Sequence, residues 1–346
     1  MRVHLVAVQA ALSEGPYRSA ESFAAWTVRL GRAALAEVPS DGAPVLLAFP
    51  EAIAMPLLFT LGGGGPVDGS ATLLEAAGRS LRGSWTAVLA AAWRYRSPGP
   101  AAALLARAPV VYDAYVDAFR EVARVTGATV VGGSALLPDV ELEAARGRHV
   151  TSRRVYNVSY TFAPSGVLLG RSRKVHLTPG LEGRIGLARG RVEDLPVMRT
   201  PCGPVGVAVC LDGWYDGVVA TLDAHGAEVL VQPSANEASW TRPWPPDPSV
   251  EEGEAWLGRG LRALLQERVN LRYGVNPMLV GDVFGFSPRG RSSILANAAL
   301  VRHPWAEGRE GVAALAPSAE QEAIVVVTAE LSDRRPNHGS VPSARG

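Results

Sequence analysis

Short apolar runs alternate along the chain with longer segments in which apolar residues recur every three or four positions. Apolar residues at every second position predict a strand that is buried on one face, and the longer repeat predicts an amphipathic helix. Strands are predicted at residues 3–9, 44–49, 128–132, 155–162, 167–173, 205–209, 228–232, 274–281 and 323–330, with a turn entering another strand at 289–295. Helices are predicted at residues 19–37, 112–126, 218–225 and 251–272. Strands and helices in alternation are typical of an α/β protein.

Three segments between these elements have weaker patterns. Residues 68–109 are rich in Ala, Arg, Leu and Trp, and the breaks within them favour two or three helices. Residues 137–152 are polar and charged, which predicts an exposed loop. Residues 243–248 contain four prolines, which predicts an irregular loop.

The chain has 346 residues, of which 47% are hydrophobic, enough for the core of a soluble globular protein. No repeat or shift in composition marks a boundary, so we expect one domain over residues 1–331 and a loose tail at 332–346. The 34 basic residues nearly balance the 33 acidic ones, so we expect no nucleic acid and no membrane as a partner. Residues 1–9 alternate like a strand rather than a signal peptide, which favours a cytoplasmic protein.

Cys202 and Cys210 are the two cysteines of the chain. A turn and an extended strand would hold them roughly 20 Å apart, which is too far for a disulfide. The six histidines are scattered, and no spacing of residues indicates a metal site. We therefore expect neither a metal nor a cofactor.

Cys210 stands where the predicted strand at 205–209 ends, and Gly213 and Asp216 break the strand pattern after it. A cysteine at a strand-to-helix turn is lifted out of the sheet, near backbone N–H groups that can stabilise a thiolate or an oxyanion. This position suits a nucleophile. A free cysteine is also commonly a small core residue, so the stretch alone leaves both interpretations open. Glu51, just past the strand at 44–49, likewise fits either a functional loop residue or a solvated carboxylate.

Three short motifs then stand in an order and approximate spacing that is specific when they occur together. They are Phe-Pro-Glu ending at Glu51, Arg-Lys-Val-His-Leu around Lys174, and Val-Cys-Leu-Asp around Cys210. Further matches are Val-Tyr-Asn at 155–157, Gly-Ala-Glu-Val-Leu-Val-Gln-Pro-Ser-Ala-Asn ending at Asn236, and Gly-Arg-Ser-Ser-Ile at 290–294. Over residues 3–330 the chain thereby resembles the nitrilase superfamily, the carbon-nitrogen hydrolases. The resemblance implies a four-layer α-β-β-α sandwich, with two sheets face to face and helices outside.

The resemblance also implies a catalytic Glu-Lys-Cys triad at Glu51, Lys174 and Cys210. Glu182 is similar in placement to an additional glutamate of the amidase branches, where it would hold Lys174 charged and orient substrate or water. In this chemistry the cysteine forms a thioester while the first glutamate moves protons. Lys174 and the backbone N–H of Leu211 would face the developing oxyanion.

Three segments depart from the common pattern of the superfamily: residues 68–109, 137–152 and 240–254. Each is a candidate to shape the pocket mouth or a subunit contact. Trp214, Tyr215 and Trp240 flank the catalytic turn and the strand after it, so they are candidate substrate-binding residues together with Leu211. Ordinary core positions would explain the aromatic residues equally well.

Two other classes of function compete with the amidase. A Cys-His acyltransferase or peptidase could use His176, which shares a strand face with Lys174, although Glu51 would then have no role. A binding protein without catalysis is the other class, and the intact triad argues against it. Within the hydrolase class, Leu211 and Asp212 after the cysteine resemble amidase branches, whereas true nitrilases of the superfamily usually carry Trp-Glu there.

The expected substrate is therefore a small amide or N-carbamoyl compound, with a nitrile as the alternative. The sequence does not choose among aliphatic amides, N-carbamoyl compounds and ω-amides of dicarboxylates. Resemblance to the superfamily also implies a homodimer or a larger homo-oligomer, paired through helices beside the catalytic turn.

Overall fold

Apolar alternation along the chain builds strands that pair into two large sheets. The computed structural model describes residues 1–62, 67, 69–97, 99–143 and 147–332, so the predicted tail lies, apart from Ser332, outside the described residues. In chain order the strands are β1 (Arg2–Gln9), β2 (Ala11–Leu12), β3 (Val45–Ala48), β4 (Thr129–Val131), β5 (Ala135–Glu143), β6 (Gly147–Phe162), β7 (Leu168–Arg173), β8 (Val197–Thr200), β9 (Gly203–Val207), β10 (Val229–Val231), β11 (Pro243–Trp244), β12 (Asp247–Glu251), β13 (Tyr273–Asn276), β14 (Val280–Gly281), β15 (Ser293–Ala296), β16 (Val312–Leu315) and β17 (Ala323–Glu330).

Helices connect the strands and cover the sheets. They are α1 (Ala20–Ala36), α2 (Leu57–Thr60), α3 (Leu73–Arg82), α4 (Trp85–Tyr95), α5 (Pro100–Thr126), α6 (Leu181–Arg184), α7 (Asp216–Ala224), α8 (Glu252–Gly258) and α9 (Leu261–Leu265). Within the described ranges, no helix is long and apolar enough to cross a membrane.

The strand order of the first sheet is β17-β1-β3-β4-β6-β5, and β7 also pairs with β6. The second sheet has the order β16-β15-β13-β10-β9-β8. The central strands β1, β3 and β4 are parallel to one another, as are β9, β10 and β13. Parallel strands end at the same edge of their sheet, so residues that follow them are brought together.

Burial along β1 shows how the layers stack. Val3, Leu5 and Ala7 share a buried apolar cluster with strand β9 of the second sheet. The intervening Val6 and Val8 belong to a different cluster, which they share with helices α1 and α5. A third cluster packs α7 and α9 onto the outer face of the second sheet. The order helix, sheet, sheet, helix confirms the predicted four-layer α-β-β-α sandwich.

The predicted loop at residues 137–152 is wrong, because β5 and β6 extend through it as an antiparallel hairpin. Val140 and Val150 pair across the hairpin and are both buried. The charged residues between them gave the segment a polar composition and hid this apolar face. Residues 243–248 were predicted as a loop too, and they instead contribute to the short hairpin of β11 and β12.

The single helix predicted at residues 251–272 is also wrong. Helix α8 ends before Arg259, and α9 begins after Gly260, which has a φ of +57°. The Trp214 ring packs against Gly260, where an added Cβ would lie 2.8 Å from the ring. This contact and the left-handed backbone interrupt a helical periodicity that continues in the sequence. The three helices allowed for residues 68–109 are present as α3, α4 and the first part of α5.

Candidate active site

Cys210 begins a tight 3-10 turn, Cys210–Trp214, and two residues separate it from the end of strand β9. Its φ is +50°, an uncommon value for a residue with a side chain. The buried Gln232 amide donates to the Cys210 carbonyl at 2.7 Å, and the Cys210 N–H donates to the Pro233 carbonyl at 2.8 Å. These bonds hold the backbone in a strained conformation, as is common at functional residues.

The glycine at 213 is required by this turn. An added Cβ there would lie 2.4 Å from the Gln232 side-chain nitrogen, the atom that bonds the Cys210 carbonyl. Any larger residue would displace Gln232 and with it the support of the turn. Gly213 therefore does more than end the strand pattern in the sequence: it also leaves room for the Gln232 side chain.

Glu51 and Lys174 follow strands β3 and β7, and the structure brings them into direct contact. The Lys174 ammonium donates to Glu51 Oε1 at 2.7 Å, and both side chains are almost completely buried. The N–H of Ala235 donates to Glu51 Oε2 at 3.1 Å, while the Ala235 carbonyl lies 3.9 Å from the Cys210 sulfur. Ala235 thus contacts the glutamate and the cysteine and holds the two beside each other.

Glu182 completes an ion cluster with a single cation between two carboxylates. Lys174 Nζ donates to Glu182 Oε2 at 2.8 Å. The same carboxylate oxygen accepts from the backbone N–H of Thr178 at 2.7 Å and from its hydroxyl at 2.9 Å. Glu182 lies at the start of the short helix α6, where these donors fix its side chain.

Asn157, on strand β6, links the two carboxylates. Its amide nitrogen donates to Glu51 Oε1 at 2.9 Å and to Glu182 Oε1 at 2.6 Å. Its side-chain oxygen is buried with no partner among the described residues. Sequence reasoning matched Asn157 to the superfamily and assigned it no role in the site. The signal was present, since a buried asparagine amid strand apolar residues needs polar partners.

Burial and charge set the protonation states. Burial raises the pKa of the Glu51 carboxyl, the Lys174 charge opposes the rise, and the Glu182 charge adds to it. Burial disfavours the Lys174 ammonium, yet Glu51, Cys210 and Glu182 together raise its pKa, so it stays charged. Burial likewise penalises the Glu182 carboxylate, but Lys174, Asn157 and Thr178 lower its pKa overall. The resting cluster therefore holds a charged lysine and an ionised Glu182.

The Cys210 thiol has a pKa raised by burial and by the Glu51 charge, against the attraction of Lys174. It is therefore a neutral thiol at rest, and it needs a base at the moment of attack. Cys202 is also free and buried, and burial raises its pKa to about 12. Its side chain belongs to the apolar cluster between the sheets, as expected of an inert core residue.

Asp212, buried in the turn after Cys210, ties the cysteine to the lysine segment. It accepts from the backbone N–H groups of Val175 at 3.0 Å and His176 at 2.7 Å. The His176 ring nitrogen Nδ1 lies 3.0 Å from the same carboxylate, and the His176 ring stacks on Tyr215 at 3.6 Å. His176 thus contacts Asp212 and Tyr215 behind the turn, which does not favour it as the base for Cys210.

A cavity of about 370 Å³ opens onto the carboxylate cluster. Its lining combines Glu51, Lys174, Glu182, Asn157, Thr178, Asn236, Glu237 and Arg242 with Ala52, Met55, Leu136, Gly180, Ile185, Ala235, Ala238 and Phe286. This volume suits a small molecule. No group of three or more His, Cys, Asp or Glu side chains in the described part of the chain is placed to hold a metal ion.

The described residues that line the cavity include none of the four predicted substrate-binding residues, Leu211, Trp214, Tyr215 and Trp240. Trp214 packs against the rings of Trp244 and Trp256. Trp240 packs on the backbone at Gly253. Trp214 thus packs among other tryptophans, and the apolar wall of the cavity comes from other residues.

Comparison with known proteins shows the family and the fold of this chain. Residues 7–251 match the family model described as carbon-nitrogen hydrolase. The carbon-nitrogen hydrolase of Helicobacter pylori G27 superposes with a TM-score of 0.60 at 16% identity, covering 94% of this chain and 88% of that one. An amidase of the nitrilase superfamily from Nesterenkonia AN1 gives 0.55 at 17% identity, covering 95% and 92%.

A curated relative matches over a shorter region. Omega-amidase NIT2 of Xenopus tropicalis is 28% identical over 120 residues, which are 33% of this chain and 39% of that protein. The matched region thus spans about two fifths of the relative's length. Because the family model covers well over half of the chain, the protein belongs to the carbon-nitrogen hydrolase family. Within that family it has the nitrilase-superfamily fold and amidase-like neighbours.

Proposed function

We propose that the protein hydrolyses a small amide or N-carbamoyl compound through a thioester on Cys210, and releases ammonia or an amine. The observation that carries the proposal is the contact of Lys174 with both Glu51 and Glu182 beside the Cys210 turn. A buried cation between two carboxylates, next to a neutral thiol, supplies a base, an acid and an oxyanion partner in one cavity.

In the first half-reaction Glu51 accepts the thiol proton as Cys210 Sγ attacks the carbonyl carbon. The carbonyl π electrons move to oxygen, and the charge that develops there faces Lys174 and the N–H of Leu211. The intermediate then collapses, the C–N bond breaks, and Glu51 returns the proton to the departing nitrogen. The products are a thioester and ammonia or an amine.

In the second half-reaction Glu51 takes a proton from water, whose oxygen attacks the thioester carbon. Collapse of this intermediate expels the Cys210 thiolate, which recovers the proton from Glu51, and the acid product leaves. The raised pKa of Glu51 suits a group that must both accept and donate a proton near neutral pH. Lys174 remains charged throughout, and Glu182 holds it in place.

The decisive experiment measures ammonia release from a panel of small amides and N-carbamoyl compounds by wild type and by cysteine variants. Cys210→Ala and Cys210→Ser should each lower kcat at least about a thousand-fold, because the nucleophile is lost. The urea midpoint of unfolding should stay unchanged. Cys202→Ala is the matched control and should retain kcat. If Cys202→Ala abolished turnover and Cys210→Ala did not, the proposed nucleophile would be wrong.

Nitrile hydrolysis is the alternative reaction on the same triad. Matched pairs, each an amide and the nitrile with the same side chain, should separate the two at equal concentration. We expect the amides to turn over faster. Faster conversion of the nitriles to free acid across most pairs would replace the amidase proposal with a nitrilase.

A further inference from the structure

Helices α3 and α4 carry an exposed apolar face that the hydrolytic reaction does not use. Trp85, Leu89 and Trp93 follow one another at four-residue intervals on α4, and are 61%, 58% and 86% exposed. Leu74 on α3 is 83% exposed. Residues four apart on a helix lie on one side of it, so the three α4 side chains form a single stripe. We call Trp85, Leu89 and Trp93 the tryptophan face.

The segment that carries this face is basic. Residues 70–97 contain four arginines, Arg79, Arg82, Arg94 and Arg96, and one acidic residue, Glu75. The segment therefore carries a net charge of +3, whereas the whole chain carries +1. Arg79 pairs with Glu75, and Arg82, Arg94 and Arg96 form no ion pair with any residue the structure describes. The near balance of charge over the whole chain hides this local excess.

The two helices are fixed to the body of the protein from their other side. Ala91 is the buried residue of α4, and α3 buries Ala76 and Ser80. The buried Arg107 side chain on α5 donates to the Ser80 carbonyl at 3.1 Å and to the Ser84 hydroxyl at 2.7 Å. These bonds clamp the turn between α3 and α4, so the tryptophan face is held outward as a formed surface.

From these observations we propose that the tryptophan face docks on an anionic lipid bilayer, with α4 lying in the plane of the interface. Tryptophan and leucine on one side of a helix, within a basic segment, match the composition of interfacial helices. Indole rings are favoured at the boundary between headgroups and acyl chains. The unpaired arginines are complementary to acidic headgroups and can lie at the surface while their stems cover apolar area.

A second copy of the chain fits this face less well. In a two-fold dimer the same patch meets itself, so Arg82, Arg94 and Arg96 of one protomer would approach the same residues of the other. Such like-charge contacts are unfavourable at an interface. A bilayer with acidic lipids supplies charge opposite to that of the basic segment.

The test is co-sedimentation of the full-length protein with vesicles of pure phosphatidylcholine or of phosphatidylcholine with about 30% phosphatidylserine. We expect at least about ten-fold tighter binding to the anionic vesicles, weakened by salt. The triple variant R82Q/R94Q/R96Q should lose about a hundred-fold in affinity, since each basic residue contributes roughly five-fold. The triple variant W85S/L89S/W93S should lose binding to the same vesicles. Its kcat for amide hydrolysis and its urea midpoint of unfolding should equal those of wild type.

Val167→Ser and Arg191→Gln are matched controls, because both side chains are highly exposed and lie outside this segment. They should bind vesicles like wild type. The proposal is overturned if wild type binds neither kind of vesicle, or if the controls lose as much affinity as the triple variants. It is also overturned if W85S/L89S/W93S converts a dimer to a monomer and wild type ignores vesicles, since the face would then be a subunit interface.

Discussion

The Asn157 side chain contacts both carboxylates of the site, and we expect it to be a positioning residue. Its amide donates to both Glu51 and Glu182 and favours their charged forms. Asn157→Ala should therefore raise the Glu51 pKa further. The acid limb of kcat/KM should move to higher pH, and kcat should fall about ten- to a hundred-fold.

A pH profile of ammonia release measures this change. Ser159→Ala is the control, because Ser159 is buried two residues along the same strand and its hydroxyl has no hydrogen-bond partner among the described residues. If Asn157→Ala lowered activity with an unshifted acid limb, Asn157 would be a structural residue only.

Removal of the Glu182 charge should shift the pH profile of kcat/KM in the direction opposite to that of Asn157→Ala. Its negative charge raises the Glu51 pKa, after the larger effect of burial and against Lys174. Glu182→Gln removes that charge, so the Glu51 pKa should fall and the acid limb of kcat/KM should move to lower pH. We expect kcat to fall about a hundred-fold as well, since Lys174 loses a partner.

Glu182→Asp, which keeps the charge, should leave the acid limb close to that of wild type. An acid limb that moved to higher pH in Glu182→Gln would contradict the assignment of Glu51 as the titrating base. The opposite shifts of Asn157→Ala and Glu182→Gln make the pair more informative than either variant alone.

At the scale of elements, the site depends on Asp212, which joins the turn after β9 to the segment after β7. Asp212→Ala would leave the buried N–H groups of Val175 and His176 without their acceptor, at a cost of about 1–3 kcal/mol each. We expect a lower urea midpoint and at least about a ten-fold loss of kcat.

Asp212→Asn retains one side-chain oxygen as acceptor and should lose less stability than the alanine variant. Asp216→Ala is the control on the next turn, because Asp216 is exposed and its pairing with Arg268 contributes little. Equal unfolding midpoints for Asp212→Ala and Asp216→Ala would contradict the link.

Some elements of the fold and the site can be predicted from the sequence and others cannot, for physical reasons. Strands such as β17 are predicted at their observed bounds because alternation is a local property. The break between α8 and α9 depends on the Trp214 ring against Gly260, a contact that local periodicity does not encode. The triad positions follow from motifs at strand ends, whereas the cavity walls Ile185, Arg242 and Phe286 come from loops whose placement is tertiary.

At the scale of the whole molecule, the first and last described strands lie side by side. Strand β17 pairs antiparallel with β1 along its full length, so residues near both ends of the described chain complete one sheet. This pairing supports our proposal of a single domain over residues 1–331. The helix layers lie on the opposite outer faces of the two sheets, where one of them can serve assembly.

We expect the protein to form a homodimer or larger homo-oligomer that pairs through the helix layer containing α7. Helix α7 offers few apolar side chains for such a contact, because its Val218, Val219 and Leu222 are buried within the chain. Tyr215 and Val269 remain 43% and 75% exposed, and the Val269 N–H donates to Asp223 of α7. Exposed apolar side chains at the two ends of one helix are candidates for a subunit contact.

Sedimentation at micromolar concentration should give at least twice the chain mass of 36.4 kDa. Val269→Glu should shift the protein toward monomer, because it places a charge in the contact. Val167→Glu is the matched control, since Val167 is 61% exposed in the turn between β6 and β7. A single 36.4 kDa species for wild type would refute the prediction, and equal dissociation by Val167→Glu would refute the proposed contact.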